Sequence, residues 1–326
     1  PTCRKLENEQ RLSPLVACCL SLSPGSADPE RWLQPEWTHL HDPALMHGLD
    51  AAVVRITQAV VSGEHIRIVT DYDVDGPTSS LILQHSLRLL GATGELSYHI
   101  PNRFHEGYGF STWAAERAAE DGVGLIITAD IGVRDHEAVA RARELGVDVI
   151  VCDHHLPQGE EVPEAAVAVL CPPQKSCSYP NPALAACGVS LKLATALLKA
   201  HPRSEKILNS MTKLAAIGTV ADVVNLSTPE NRAIVSLGLK QLNQPPHAPG
   251  LQALLHVSGV QSGQISSSDL GFRIGPRINA AGRLESATAV VELLNERDPE
   301  SARRQATELD QINQRRRTVQ DKLTRQ

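Results

Sequence analysis

Aromatic side chains are scarce in this sequence: Phe, Trp and Tyr together make up 3% of its 326 residues. A ring-rich core is therefore excluded, and packing must rest on Ala, Val, Ile and Leu, as in parallel α/β layers. Apolar runs of about 18 residues are missing, and no secretory leader is visible, so nothing suggests membrane insertion or export. A cytoplasmic location is the expectation. An excess of positive charge is also lacking. With 31 Lys and Arg against 37 Asp and Glu, the net charge is −6. That excludes a generally basic nucleic-acid binder, although local basic patches could still touch nucleic acid. A regular cysteine framework is absent as well. Cys3, Cys18, Cys19, Cys152, Cys171, Cys177 and Cys187 are odd in number and irregular in spacing, which fits neither a disulfide scaffold nor a CxxC zinc ribbon. Reduced, mostly buried thiols are expected.

What is present is enough for a core. The hydrophobic fraction is 42%, and the length suits one large or two ordinary domains. Residues 1–43 carry Pro14, Pro24, Pro29, Pro35 and Pro43 and read as an irregular lead-in with one short helix near 13–20. Residues 44–62 place Leu45, Leu49, Val53, Ile56 and Val60 at helical spacing. From residue 66, short β-branched runs alternate with helical patterns, which implies βαβ units and a mainly parallel, doubly wound sheet. Expected strands cover 66–70, 96–100, 125–129, 147–151 and 166–170. Expected helices cover 77–90, 111–121, 135–145, 187–200, 209–217 and 230–242. Residues 243–285 read as a loop region rich in Gly and Arg, and 286–326 as one or two helices, the last one long. The chain begins at Pro1 and stops at Gln326 within a charged helical stretch, so a piece of a longer protein is expected.

Four places share one pattern, a short apolar run followed by an Asp in or beside a turn. They are Asp71-Tyr72-Asp73-Val74-Asp75-Gly76, Asp130, Asp153-His154-His155 and Asp222. Carboxylate and imidazole ligands that gather at strand ends lie where an open α/β sheet places its ligand crevice. Clustered carboxylates repel one another and take up protons unless cations compensate them. Oxygen and nitrogen ligands suit Mn²⁺ or Mg²⁺, and a pair of such ions can activate water at a phosphoryl centre. Taken singly, each Asp could be only a helix N-cap, and the two histidines a satisfied loop pair. The 71–76 segment looks like a calcium loop, but its twelfth position is Ile82 rather than Glu.

Together these motifs resemble the DHH phosphoesterase superfamily, and within it the RecJ single-strand exonucleases. Three more stretches carry the resemblance: Pro101-Asn102-Arg103-Phe104-His105-Glu106-Gly107-Tyr108-Gly109, Ala216–Asp222, and Gly275–Arg283. It implies a DHH domain over 44–242, an arginine motif within 243–285 and a linking helix over 286–326. It also implies two divalent metal ions, with Mn²⁺ preferred and Mg²⁺ accepted. Asp73 and Asp75 would each face one metal, Asp130 would bridge them, and His154 and Asp222 would complete the ligands of the second metal, with Asp71 assisting the first. Asp153 would orient its turn. His155 would approach the scissile phosphate. Gly76 would allow close backbone approach, and Pro77 suits a first helical turn. Arg103, Arg277 and Arg283 would be phosphate ligands, Tyr108 would stack on a base, and Asn279 would hold the arginine loop in shape. Arg303, Arg304 and Arg315–Arg317 would line the strand's path, or form a solvated helix face.

The implied reaction is hydrolysis of single-stranded DNA from its 5′ end to mononucleotides, in repair and recombination. The expected partners are single-stranded DNA and a single-strand-binding protein or helicase. The sequence departs from the family in one respect. It shows no DHH-associated domain, no OB-fold and no Gly-Gly-Gly-His stretch. Two other readings stand beside this one: a DHH hydrolase of small nucleotides, and a non-catalytic DHH binding module.

Overall fold

The computed structural model describes residues 2–102, 106–284 and 287–324. Five parallel strands form one sheet in the order β2-β1-β3-β4-β5. They are β1 (His65–Thr70), β2 (Leu96–His99), β3 (Val123–Ala129), β4 (Asp148–Cys152) and β5 (Ala168–Leu170). Each expected strand is present, with ends shifted by up to two residues.

Helices cover both faces, and the sequence shows why. Side chains alternate across a strand, and here both sets are apolar. Ile66, Ile68, Leu125, Ile127, Ile150, Cys152 and Leu170 face one core. Val69, Ile126, Val149, Val151 and Val169 face a second. The first core is built by α4 (Leu49–Ser62), α5 (Asp75–Leu90), α8 (Ala186–Leu197) and α9 (Ser204–Ala221). The second is built by α6 (Thr112–Glu120) and α7 (His136–Glu144), whose buried face is mostly alanine. The chain leaves β1 for one face and β3 for the other. The switch in winding therefore falls between these neighbours, where an open α/β sheet forms its crevice.

Other segments differ from expectation. Residues 1–43 hold the expected short helix as α2 (Pro14–Ser21), and also α1 (Thr2–Glu9) and α3 (Pro29–Leu33) where irregular chain was expected. Leu6, Ala17 and Leu20 bury a small core of their own there. Prolines suggested coil, but Pro14 and Pro29 stand at helix starts, where a missing N–H costs nothing.

The region expected as a loop is mostly helical. After α10 (Pro229–Leu242) come α11 (Pro249–Val257), the single turn α12 (Ser267–Asp269), a π-helical turn (Leu270–Ile274) and α13 (Gly275–Leu284). The glycines of this segment let helices pack closely. A Cβ on Gly250 would fall 1.7 Å from the carbonyl oxygen of Leu293, and one on Gly282 would fall 2.4 Å from that of Tyr72. Helices α14 (Thr288–Asn295) and α15 (Pro299–Thr324) follow. The seven thiols are free, but only Cys152, Cys171 and Cys187 are buried; Cys18 and Cys19 are exposed.

Candidate metal centre

The turn after β1 delivers the first carboxylates. Asp71 and Asp73 lie in it, and Asp75 is the first residue of α5. Asp73 Oδ1 accepts the N–H of Asp75 at 2.8 Å. A Cβ on Gly76 would fall 2.1 Å from the carbonyl oxygen of Asp71, so only glycine closes this turn. The close approach that Gly76 permits is to the chain's own backbone.

Asp75 is wholly buried, and both its oxygens are held by the N-terminus of α8. Ala186 N–H donates to Oδ2 at 2.6 Å, and Cys187 N–H to Oδ1 at 2.9 Å. Free amides and the helix dipole both favour an anion there. Helix α9 also passes close. A Cβ on Gly218 would meet Asp75 Oδ1 at 2.8 Å and Thr78 Oγ1 at 2.5 Å. Sequence reasoning missed both supports, because they come from helices distant in the sequence.

Asp130 follows β3 with φ +65°, a conformation that residues other than glycine seldom adopt. Its N–H donates to Cys152 O at 3.0 Å, and Asp153 N–H to Leu170 O at 2.9 Å. The hydrogen-bond ladder thus continues one step beyond the strands and fixes both acidic residues. Asp222 arrives differently from the pattern read in the sequence. It caps the C-terminus of α9, and Val223 beside it takes φ +60° while fully out in solvent. A β-branched residue in that region is strained.

These elements converge on His154. Its Nε2 lies 3.1 Å from Asp130 Oδ1, 3.7 Å from Asp222 Oδ2 and 4.0 Å from Asp75 Oδ2. Three sets of potential ligand atoms each fit within 4.8 Å: Asp71, Asp73 and Asp130; Asp75, His154 and Asp222; and Asp130, His154 and His155. Asp130 belongs to the first and the third. Among the described residues, no Lys or Arg forms an ion pair with Asp75, Asp130 or Asp222. Burial and the neighbouring carboxylates Asp75 and Asp73 raise Asp130 well above the usual carboxylate range. Burial also raises Asp75, despite the nearby His154. Asp222 is pushed up to about 7 by burial and by Asp75 and Asp73. Carboxylates packed this way need a proton or a metal ion. An oxygen-rich set with one imidazole fits hard divalent cations.

Asp153 has a different task. It is buried, and its oxygens accept from Val133 N–H at 3.0 Å, His154 N–H at 2.7 Å and His155 N–H at 3.1 Å. Its Oδ1 also lies 2.8 Å from His155 Nδ1. Burial raises its pKa, but the bonds from His155 and the backbone outweigh burial and leave it below the usual range. An ionised carboxylate only accepts, so His155 Nδ1 carries a proton, and the pair raises the His155 pKa. His155 then presents Nε2 outward, 3.3 Å from the Tyr108 hydroxyl. Tyr108 is 56% exposed and meets Tyr72 edge to face at 6.2 Å.

The arginines separate. Arg277 is drawn into an ion pair with Asp310 of α15 at 2.8 Å and donates to Arg273 O at 2.7 Å. Arg283 and Asn279 instead line a cavity of 330 Å³ with Gly275, Ala221 and, from α15, Arg316. Neither Arg283 nor Arg316 has an ion-pair partner among the described residues. The cavity begins beside Asp222, since Ala221 is in its wall. Arg103 lies outside the described residues. A cavity of 480 Å³ elsewhere, lined by Leu81, Met211, Leu214 and Leu251, holds none of the acidic residues.

The sheet order, the acidic cluster at its switch point and the Asp-His-His turn define a class, and residues 65–219 match the DHH family, N-terminal domain. The chain belongs to that family. Its branch is that of RecJ. It is 39% identical over 323 residues to the single-stranded-DNA-specific exonuclease RecJ of Bacillus subtilis, covering 98% of this chain and 40% of that protein. It is 42% identical to RecJ of Dickeya dadantii, covering 86% of this chain and 50% of that protein. The chain thus spans about half the length of the curated relatives it matches.

Solved structures agree. A crystal structure of exonuclease RecJ bound to manganese superposes with a TM-score of 0.77 at 33% identity, over 86% of this chain and 69% of that one. RecJ of Thermus thermophilus in complex with Mn²⁺ gives 0.82 at 29% identity, over 99% of this chain and 45% of that one. Among the described residues no single helix is long and apolar enough to cross a membrane.

Proposed function

We propose that this chain is the catalytic part of a RecJ-type exonuclease, which hydrolyses single-stranded DNA from the 5′ end with Mn²⁺ or Mg²⁺. The observation that carries the reading is the pair of ligand sets Asp71/Asp73/Asp130 and Asp75/His154/Asp222, brought together around His154 at the switch between β1 and β3. Relatives named as single-strand exonucleases, and their structures with manganese, support it.

The residues divide the work. Asp71, Asp73, Asp75, Asp130, His154 and Asp222 would hold two divalent ions, with Asp130 shared. When bound, such ions lower the pKa of water and neutralise charge on phosphate oxygens. Asp153 keeps His155 protonated at Nδ1 and points Nε2 into the cleft. There His155, once protonated at both ring nitrogens, would donate a hydrogen bond from Nε2 to a phosphate oxygen as charge develops on it. Arg283 and Arg316 would receive a backbone phosphate in their cavity, each through a planar fork of N–H donors. Tyr108, set edge to face against Tyr72, offers an exposed ring suited to a base, without reading its identity. Arg277, tied to Asp310, holds α13 against α15 and has a structural role.

The division into 1–43, a DHH domain over 44–242, an arginine region over 243–285 and a linking helix over 286–326 belongs to the same reading. So do a cytoplasmic location, a role in repair and recombination, and a single-strand-binding protein or helicase as partner. The test is release of nucleotides from a 5′-labelled single strand with Mn²⁺, compared with duplex and with a dinucleotide. Activity should be abolished in Asp130→Ala and His154→Ala. Preference for the dinucleotide would favour a small-nucleotide hydrolase. Equal activity in wild type and Asp130→Ala overturns the reading.

A further inference from the structure

Asp135 stands at the N-cap of α7, yet its side chain makes no capping hydrogen bond there. An Asp in that position ordinarily accepts from the first turn of its own helix. Here the carboxylate turns away and accepts the N–H of Phe110 at 2.8 Å, across 25 residues of sequence. The residue before Phe110 is fitted to it. Gly109 has φ +95°, and a Cβ there would lie 2.9 Å from Asp135 Oδ1. Phe110 itself is anchored in the second core. Tyr108, two residues before Phe110, is the side chain that reaches His155 Nε2.

The turn that carries Asp135 also carries the metal-centre carboxylate. Asp130 begins it, Val133 N–H is held by Asp153, and Asp135 N–H closes on Gly132 O at 3.1 Å. One turn after β3 therefore fixes Asp130 on one side and the Tyr108 segment on the other.

We propose that Asp135 is a positioning residue that sets Tyr108 against His155, so that substrate affinity depends on a carboxylate that never touches substrate. This rests on the nuclease reading for its kinetic consequence, but not for its structural one. If it holds, Tyr108→Ala should raise KM for a single-stranded oligonucleotide about tenfold, as loss of one stacking ring does. Asp135→Ala should do likewise, with kcat little changed. The double variant should be no worse than Tyr108→Ala alone, because both remove one interaction. Asp135→Asn, which can still accept from Phe110, should restore most of the affinity. Mn²⁺ binding measured by calorimetry should be unaltered throughout.

A second measurement stands apart from enzymology. In the full chain labelled with 3-fluorotyrosine, the ¹⁹F line assigned to residue 108 by comparison with Tyr108→Phe should shift in Asp135→Ala. The lines of Tyr98 and Tyr179 should stay. Gly109→Ala, which intrudes on the carboxylate from the other side, should shift the same line, and it serves if Asp135→Ala fails to fold. An unchanged Tyr108 line in a folded variant, or additive losses in the double variant, overturns the proposal. Absence of any cleavage by wild type, with the line shift present, would instead count against the nuclease reading.

Discussion

Gly218 and Asp75 are matched: a side chain at position 218 would place its Cβ 2.8 Å from Asp75 Oδ1. The same Cβ would crowd Thr78 and the Cys187 thiol, so α9 cannot keep its approach to α5 and α8 with anything larger than hydrogen there. Gly218→Ala should stay folded while losing about 1–3 kcal/mol, the usual cost of overpacking. It should also weaken Mn²⁺ binding by roughly tenfold or more, as disturbed ligand supports do. Chemical denaturation and calorimetry on the same preparation read the two effects. Wild-type metal affinity in this variant would show that Asp75 is not a ligand held by this packing.

The Asp153–His155 pair predicts a loss of activity without loss of metal. Asp153→Asn keeps one oxygen for the His154 and His155 N–H groups, loses the acceptor for Val133 N–H, and no longer favours the protonated His155 ring. Turnover should fall by about 10–100-fold, the range for removing an orienting partner, and the Mn²⁺ isotherm should be preserved. His155→Ala in the same background should add little further loss. A full additive loss would show that the two side chains act separately.

Proton linkage gives a prediction for the metal-free protein. Asp222 titrates at about 7 in the folded chain and near 3.9 when unfolded. Its folded form holds a proton that the unfolded form has released. The stability this lends is complete below about pH 4 and is lost as pH rises through 7. Half-buried His85 and His247 have lowered pKa values and oppose the trend, so the comparison must be with Asp222→Asn. In EDTA, the melting temperature of wild type relative to that variant should fall by about 2–4 °C or more between pH 5 and 8. Added Mn²⁺ should abolish the fall. A relative melting temperature that rises over that window contradicts the carboxylate crowding.

The two arginines of the motif should behave oppositely. Arg283→Ala should weaken binding of a single strand and make it less dependent on salt, as expected when one phosphate contact is lost. Arg277→Ala should leave strand affinity close to wild type and lower stability through the lost pair with Asp310. Equal losses of affinity would return Arg277 to the phosphate site.

A buried ion pair outside the cleft offers a stability control. Lys192 Nζ lies 2.7 Å from Glu230 Oε1, both almost fully buried, and Tyr179 and Asn181 also bond to Glu230. Lys192→Ala leaves that carboxylate uncompensated and should cost about 3–5 kcal/mol, read by urea denaturation. Metal affinity should not change.

The strands, their parallel winding and the acidic cluster at their ends were legible because each depends on local signals. A β-branched run followed by Asp predicted the ends of β1, β3 and β4, and hence the crevice. Helices α3, α11 and α13 were hidden by prolines and glycines that act as helix starts and close-packing positions rather than as breakers. Arg277 was expected at a phosphate, and its pair with Asp310 of α15 is one that one-dimensional spacing cannot reveal. The same limit hid the α8 amides on Asp75, Gly218 and Asp135. Each works through a partner distant in sequence, and nothing in its own neighbourhood announces it.

The ligands of the centre come from four places, the ends of β1, β3 and β4 and the last turn of α9, and they span residues 71–222. Parallel strands pair only after long crossovers have closed. The final ligand, Asp222, lies beyond all five strands. During synthesis the acidic groups can therefore meet only after the whole sheet and its first helical layer have formed. On the proposed reading, binding of a divalent ion would mark a chain that has finished folding this domain, since an emerging chain lacks the complete set of acidic groups.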